Sequence, residues 1–346
     1  MPVVMNGDRP VPGWGINVRR SASGRPIEAI GDAVRIALVN NMPDAALEDT
    51  EIQFLELLDA ASGEMPVVLE LYSLPHVPRM ERGEQHLANF YSGIAELQDS
   101  RVDGMIITGT EPRRPNLREE PYWRAMTDLF DWAETNTIST VLSCLAAHAG
   151  VLHSDGIGRH PLSDKKLGVF PSEKVMDHRL LNNAPEGMSF PHSRWNEVRE
   201  SELASAGYDV VLKSPDAGVD LFVKKKRKSL FVHFQGHPEY GARTLLKEYR
   251  RDIKRFLRGE RPNYPSMPQG YFHAASAKTL EEFRAQALDN PSAELMACFP
   301  EAEIAETLQK TWHGGAVGIY RNWLSEICAR KNEAPKLVAA VRTEGI

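Results

Sequence analysis

The sequence predicts an α/β fold: a doubly wound, mostly parallel sheet flanked by helices. Two observations carry this reading. Short apolar runs suited to buried strands recur at Val34 to Val39 (VRIALV), Val67 to Leu71 (VVLEL), Met105 to Ile107 and Thr137 to Leu142 (TISTVL). Amphipathic segments at about 46–61, 85–98 and 121–135 lie between them. Strands that alternate with helices form βαβ units, whose crossovers cover both faces of a parallel sheet.

Residues 1–32 precede this pattern as a lead-in arm, because Pro10, Pro12, Gly13, Gly15, Gly24 and Pro26 break any periodicity. Between 155 and 235 the pattern is less regular, punctuated by Gly156, Gly158, Pro161, Gly168 and Pro171. Val219 to Phe234 (VDLFVKKKRKSLFVHF) reads as two strands joined by a basic turn. Leu245, Leu246, Tyr249, Ile253, Phe256 and Leu257 give helical spacing over 241–258. A loop marked by Pro262, Pro265, Pro268 and Gly270 leads to helical patterns near 277–289, 301–310 and 316–331. The expected organisation is an arm (1–32), an α/β catalytic domain (33–262) and a helical extension packed on it (263–346).

The chain has 346 residues, enough for a sizeable core without staples. Its 41 Lys and Arg against 47 Asp and Glu give a net charge of −6, which offers no general attraction to nucleic acid. Three widely spaced cysteines, Cys144, Cys298 and Cys328, make no CxxC pair and fit a reducing compartment. No apolar run reaches the roughly 18 residues of a membrane span, and residues 1–20 lack a signal-peptide pattern. The expectation is a cytoplasmic enzyme that binds neither membrane nor nucleic acid; a homodimer is compatible with it.

The strongest chemical signal is Cys144, which ends the run Ile138 to Ser143 and opens the small-residue stretch Leu145-Ala146-Ala147-His148-Ala149-Gly150. A cysteine between a buried strand and a helix stands in the crevice where open α/β sheets bind ligands. Free helix N–H groups there favour a thiolate and an oxyanion. The segment alone equally admits a space-filling core cysteine. The second signal is Gly236-His237-Pro238-Glu239. Proline holds the preceding residue extended, and residues two apart in an extended chain project to one side, so Glu239 can orient His237. Together these residues form a Cys/His/Glu set suited to nucleophilic catalysis; alone, His-Pro-Glu also suits a capped turn.

Further motifs occur in order: Asn40-Asn41-Met42-Pro43, Asp49-Thr50-Glu51-Ile52-Gln53-Phe54, Thr108-Gly109, Tyr122-Trp123, Ser143-Cys144, Lys166-Leu167-Gly168-Val169, Pro191-His192-Ser193-Arg194, Gly236-His237-Pro238-Glu239-Tyr240 and Asn322-Trp323-Leu324. From about Val34 to Leu324 the chain thereby resembles the homoserine O-acyltransferase family of the MetA type (homoserine O-succinyltransferase). The resemblance implies a fold similar to class I glutamine amidotransferases and transfer of a succinyl or acetyl group from coenzyme A to the γ-hydroxyl of L-homoserine, in methionine biosynthesis. It implies Cys144 as nucleophile, His237 as base oriented by Glu239, and ping-pong kinetics. It also implies oxyanion N–H groups from Leu145 and from the loop after Gly109, with Thr110 the nearest residue. By the same resemblance Arg251 binds the amino-acid carboxylate, and Lys166 and Ser193 line the site. Read alone, Arg251 is a solvated arginine on a surface helix, and Lys166 and Ser193 also read as a loop lysine and a turn residue. Acyl-CoA enters as co-substrate, with no tightly bound cofactor and no metal; the histidines show no metal-ligand spacing.

Two segments depart from the family pattern. The loop Thr110-Glu111-Pro112-Arg113-Arg114-Pro115 replaces a more usual Ala-Pro followed by small residues, and places Arg113 where acyl-group choice is set. A cation there would pair with the distal carboxylate of succinyl and gain nothing from acetyl; Arg114 or Glu111 are the other candidates for that position. His148 stands where the family often has Gln; it is expected as a partly buried helix residue, with a hydrogen-bond partner behind Cys144 as the other reading. L-serine is the alternative acceptor. The competing functions are a glutamine amidotransferase, disfavoured by Ser143 and Ala146 where glycines are usual, and a non-catalytic relative. Lys224 to Lys228 (KKKRK) reads as a solvated hairpin turn rather than a phosphate-binding patch, and Trp312 and Trp323 read as tail packing.

Overall fold

The computed structural model describes residues 3–5 and 33–343, with side chains through 333 apart from Val4. Most of the expected arm therefore lies outside the described residues. Its first described part, β1 (Val4–Met5), pairs parallel with the strand at Val67–Tyr72.

Each expected strand of the first half appears: β2 (Val34–Val39), β3 (Val67–Tyr72), β4 (Gly104–Thr108) and β5 (Ser139–Ser143). Helix α1 (Asp44–Ser62) crosses from β2 to β3. The amphipathic stretch 85–98 is two helices, α2 (Glu81–Phe90) and α3 (Ile94–Asp99), rather than one. The break falls where Ser92 makes a bridge to Tyr72 and the Tyr91 hydroxyl is drawn to the buried Glu51 carboxylate and to Asn40. Helix α4 (Trp123–Asn136) precedes β5, and α5 (Leu145–Asp155) follows it. β5 starts later than the apolar run suggests, because Thr137 caps α4 by donating to the Ala133 carbonyl at 2.9 Å.

The irregular middle holds a separate antiparallel pair, β6 (His160–Pro171) and β8 (Ser189–Glu197), with β7 (Glu173–Lys174) between them in sequence. After α6 (Glu200–Ser205) come β9 (Asp209–Ser214), β10 (Gly218–Lys226) and β11 (Ser229–Phe234), so the expected basic hairpin is present. Its cations are not all solvated, however. Lys224 reaches Asp155 at 2.6 Å, and Lys226 is buried over the Phe231 ring with its ammonium on Ser154. Helices α7 (Thr244–Leu257), α8 (Ala274–Asp289), α9 (Glu301–Ala305) and α10 (His313–Thr343) complete the chain; α9 is shorter than the pattern over 301–310 suggests.

The main sheet runs β1-β3-β2-β4-β5-β11-β10-β9-β7. It is parallel from β1 to β11 and antiparallel beyond. This is the doubly wound, mostly parallel sheet expected from the alternation. Successive side chains of a strand point to opposite faces, so Ile36 and Leu38 of β2 enter a core shared with α1, α7 and α10, while Ala37 and Val39 enter one shared with α4 and α5. Two buried indoles tie the tail to the body: Trp323 donates to Ser139 Oγ of β5 at 2.8 Å and Trp312 to the carbonyl of Tyr240, beyond β11, at 2.9 Å. Among the described residues no helix is long and apolar enough to cross a membrane.

Candidate active site

Strand register assembles the site. Thr108, Ser143 and Phe234 are level across β4, β5 and β11. The next residues along, Gly109, Cys144 and Gln235, therefore leave the sheet side by side at its carboxyl edge, with His237 two further on.

Cys144 occupies the N-cap of α5 at φ 50°, ψ −109°, in a region that L residues rarely adopt. Such a conformation costs on the order of 1–3 kcal/mol and persists only where surrounding structure imposes it. Here the Cys144 N–H donates to the Phe234 carbonyl at 2.8 Å, and its carbonyl accepts from the His148 N–H at 3.2 Å. The sharp strand-to-helix turn lifts the thiol, which is half-buried, above the sheet.

His237 is buried and bonds Glu239, Nδ1 to Oε1 at 2.8 Å, with Cys144 close enough to act on the ring electrostatically. Glu239 Oε1 also accepts from Ser143 Oγ at 3.3 Å. Burial alone would lower the imidazole pKa; the charges of Cys144 and Glu239 outweigh it and hold His237 well above its ordinary value. Tyr240 stacks on the ring at 4.1 Å, and the His237 N–H donates to the Pro191 carbonyl at 2.7 Å. The approach into this turn needs glycine: a Cβ on Gly236 would stand 2.6 Å from Asp220 Oδ1 and 3.0 Å from His192 Nε2.

Gly109 makes the other close approach. A Cβ there would stand 2.4 Å from Leu145 Cβ and 3.0 Å from its nitrogen. The loop carrying Thr110 thus lies directly against the first N–H of α5, the arrangement expected for an oxyanion site. Gly109→Ala is expected to lower kcat/KM at least ~10-fold and to destabilise the fold by about 1–3 kcal/mol through overpacking. Steady-state kinetics and denaturant unfolding check this, and wild-type values in both would contradict it.

A polar cluster lies on the β6–β8 and α7 side. Glu248 of α7 accepts from the Tyr240 hydroxyl at 2.6 Å, from Ser193 Oγ and from Lys165 Nζ at 3.3 Å. Lys165 also reaches Asp252 at 3.0 Å. Arg251, half-exposed, stands 3.8 Å from Glu248 and 3.3 Å from Asp252. Burial opposes the charge on Glu248, but Lys165, the hydroxyls of Ser193 and Tyr240, and Arg251 hold its carboxyl below the ordinary range. Ser193 and Arg251, both expected from sequence, are brought together here. Lys166 is not: its ammonium donates to the Asp216 carbonyl, and Lys165 takes the place. The reason is strand parity. Leu167 pairs with Ser193 and Lys166 with Arg194, so Lys165 shares a face with Ser193 while Lys166 shares the opposite one with Arg194.

That opposite face supplies a cation the sequence reading missed. Arg194 is 4% exposed and donates to the carbonyls of Asn196 and Ala217. Burial lowers its pKa, while the neighbouring Cys144, Glu197 and Asp220 favour the charged form. His148 is fully rather than partly buried: it bonds Gln235 at 2.9 Å, and burial pushes its pKa down to about 3. In the departing loop, Glu120 Oε1 accepts from the backbone N–H groups of Arg113 and Arg114 at 2.5 and 2.6 Å. The Arg113 side chain lies exposed, and Glu111 reaches Arg255 at 3.6 Å. Among the described residues no three His, Cys, Asp or Glu side chains are arranged to hold a metal.

A nucleophile elbow on a doubly wound sheet, backed by an imidazole–carboxylate pair, defines an enzyme of the acyl-transfer class. A family model for homoserine O-succinyltransferase matches residues 21–333, and the chain belongs to that family. Similar proteins include the homoserine O-succinyltransferases of Rhodopseudomonas palustris, 46% identical over 90% of this chain and 91% of that one, and of Methylorubrum extorquens, 42% identical over 88% and 90%. That of Methylococcus capsulatus is 34% identical over 94% and 93%. Among solved structures, a glutamine amidotransferase from Thermotoga maritima superposes with a TM-score of 0.45 at 14% identity, over 85% of this chain and 98% of that one.

Proposed function

We propose that this protein transfers a succinyl group from succinyl-CoA to the γ-hydroxyl of L-homoserine through an acyl-cysteine intermediate, as a cytoplasmic enzyme of methionine biosynthesis. The observation that carries the reading is the contact of Cys144 with the His237–Glu239 pair, one stacked ring away from a cluster suited to an amino acid. Family membership supplies the substrate class.

In the first half-reaction His237 takes the thiol proton and Cys144 Sγ bonds to the thioester carbonyl carbon. The oxyanion faces the N–H groups of Leu145 and the Thr110 loop. The carbon–sulfur bond to coenzyme A then breaks, and the departing thiolate takes the proton from His237. In the second half-reaction the homoserine hydroxyl gives its proton to His237 and attacks the acyl-cysteine. The carbon–sulfur bond to Cys144 breaks, the product ester leaves and the thiolate recovers its proton. Glu239 keeps Nδ1 protonated, which leaves Nε2 for this traffic. At the acceptor site the Arg251 guanidinium and the Lys165 ammonium receive the homoserine carboxylate, and Glu248 with the Ser193 hydroxyl receives its ammonium. Residues 33–262 and the 263–346 extension act as one catalytic unit, since Trp312 supports the Tyr240 backbone.

Intact-mass measurement tests the reading. Succinyl-CoA should add one succinyl group to the wild type and none to Cys144→Ala, and homoserine should discharge it. Labelling that persists in Cys144→Ala would overturn the mechanism; discharge by serine but not homoserine would replace the acceptor.

A further inference from the structure

The proposed function leaves open what holds the distal carboxylate of the acyl group. Arg113, at the position the sequence comparison suggests, turns its side chain to solvent while its backbone is pinned by Glu120. Another cation, in the loop between α5 and β6, is better placed. The Arg159 guanidinium is partly buried against the same loop, donating through Nη2 to the Pro115 carbonyl at 3.1 Å. Among the described residues it has no carboxylate within ion-pair distance and no other hydrogen bond. Beside it lie two buried polar atoms without hydrogen-bond partners among the described residues, the Tyr122 hydroxyl and Glu120 Oε2. Burial lowers the arginine's pKa, and the opposing influences come from Tyr122, Glu120 and Cys144. Arg159 is thus close enough to Tyr122, Glu120 and Cys144 for their charges to act on it.

A partly desolvated guanidinium with most of its five donors unused is costly unless an anion completes it. Nearby Glu120 does not fill that role: its Oε1 is already taken by two backbone N–H groups, and it lies beyond ion-pair reach of Arg159. We propose that Arg159 binds the distal carboxylate of the succinyl group held on Cys144, with the Tyr122 hydroxyl as a second donor, and so selects a dicarboxylic acyl donor. Fork-shaped pairing of guanidinium with carboxylate gives both the affinity and the selectivity. The inference rests on the acyl-cysteine reading above.

The test uses the full-length enzyme with succinyl-CoA and with butyryl-CoA, which has the same four-carbon acyl chain without the charge. For Arg159→Gln the rate of Cys144 acylation by succinyl-CoA, per unit donor at low concentration, should fall about 10–100-fold, the value of a charge-assisted pair. The butyryl rate should stay within about threefold or rise, so that donor selectivity collapses. Arg159→Lys should restore part of the succinyl rate, and Arg113→Gln should leave it within about threefold. Discharge of preformed succinyl-enzyme by homoserine should proceed at a similar rate in wild type and Arg159→Gln. Equal loss with both donors would show a structural role and overturn the proposal, as would an unchanged succinyl rate in Arg159→Gln or a succinyl-selective loss in Arg113→Gln alone. A wild type that succinyl-CoA leaves unlabelled would overturn the acyl-cysteine reading and this proposal with it; labelled wild type with unaltered selectivity in Arg159→Gln would remove this proposal only.

Discussion

His237→Ala is expected to lower kcat/KM by about three to four orders of magnitude, the loss seen when the base of a nucleophilic triad is removed. The ring is buried, bonded to Glu239 at 2.8 Å and near enough to Cys144 to feel its charge, which makes it the base of the set. Glu239→Gln should cost less but move the pH dependence. Glu239 and Cys144 raise the imidazole pKa against the opposing effect of burial, so removing one of those charges lowers it. A raised folded-state pKa contributes stability that is fully present below the unfolded value, 6.5 for histidine, and is lost as pH rises through the folded value. The stability gap between wild type and Glu239→Gln should therefore be widest below about pH 6.5 and narrow at higher pH. Denaturant unfolding across that range, with the pH profile of iodoacetamide reaction at Cys144, measures both effects. A gap that widens with pH would contradict the assignment.

Glu248→Gln should raise KM for homoserine about 10–100-fold while leaving acylation of Cys144 by succinyl-CoA within a few-fold. The substitution keeps the volume and one carbonyl acceptor but removes the charge that would meet the substrate ammonium. A charge-assisted hydrogen bond is worth about 1.5–3 kcal/mol, which sets the range. The side chain is committed on the protein side to Tyr240 and Ser193, so some loss of stability accompanies the change. The separation of the two half-reactions distinguishes substrate binding from a general loss of structure. A parallel fall in the acylation rate would point to disruption of Tyr240 and the His237 ring stacked on it.

The parts of this architecture that were legible in sequence are those set by local physics. Apolar runs alternating with amphipathic helices gave β2, β3, β4 and β5 to within a residue or two. Cys144 and His237 were recognisable because each follows such a run and carries its own turn chemistry. What could not be read depends on register or on tertiary contact. Which of Lys165 and Lys166 faces Ser193 is decided by the pairing of Leu167 with Ser193, and β6 carries an irregularity between Pro161 and Lys166 that breaks simple counting. Glu248 looks like an ordinary charged position on an amphipathic helix; the available signal was a second carboxylate four residues on, Asp252, beside the apolar stripe Leu245, Tyr249 and Ile253. Arg194 was in view within Pro-His-Ser-Arg, but only the fold shows that it is buried. The split at Tyr91 likewise answers to Glu51, forty residues away.

The indole of Trp312 hydrogen-bonds the carbonyl of Tyr240, the residue whose ring covers His237. This order of contacts has a temporal meaning during synthesis. The sheet, the elbow and the imidazole–carboxylate pair are all encoded before the tail, yet the support beneath the covering ring arrives only with it. The carbonyl of the residue that covers His237 thus receives its indole partner from a part of the chain made after Cys144, His237 and Glu239.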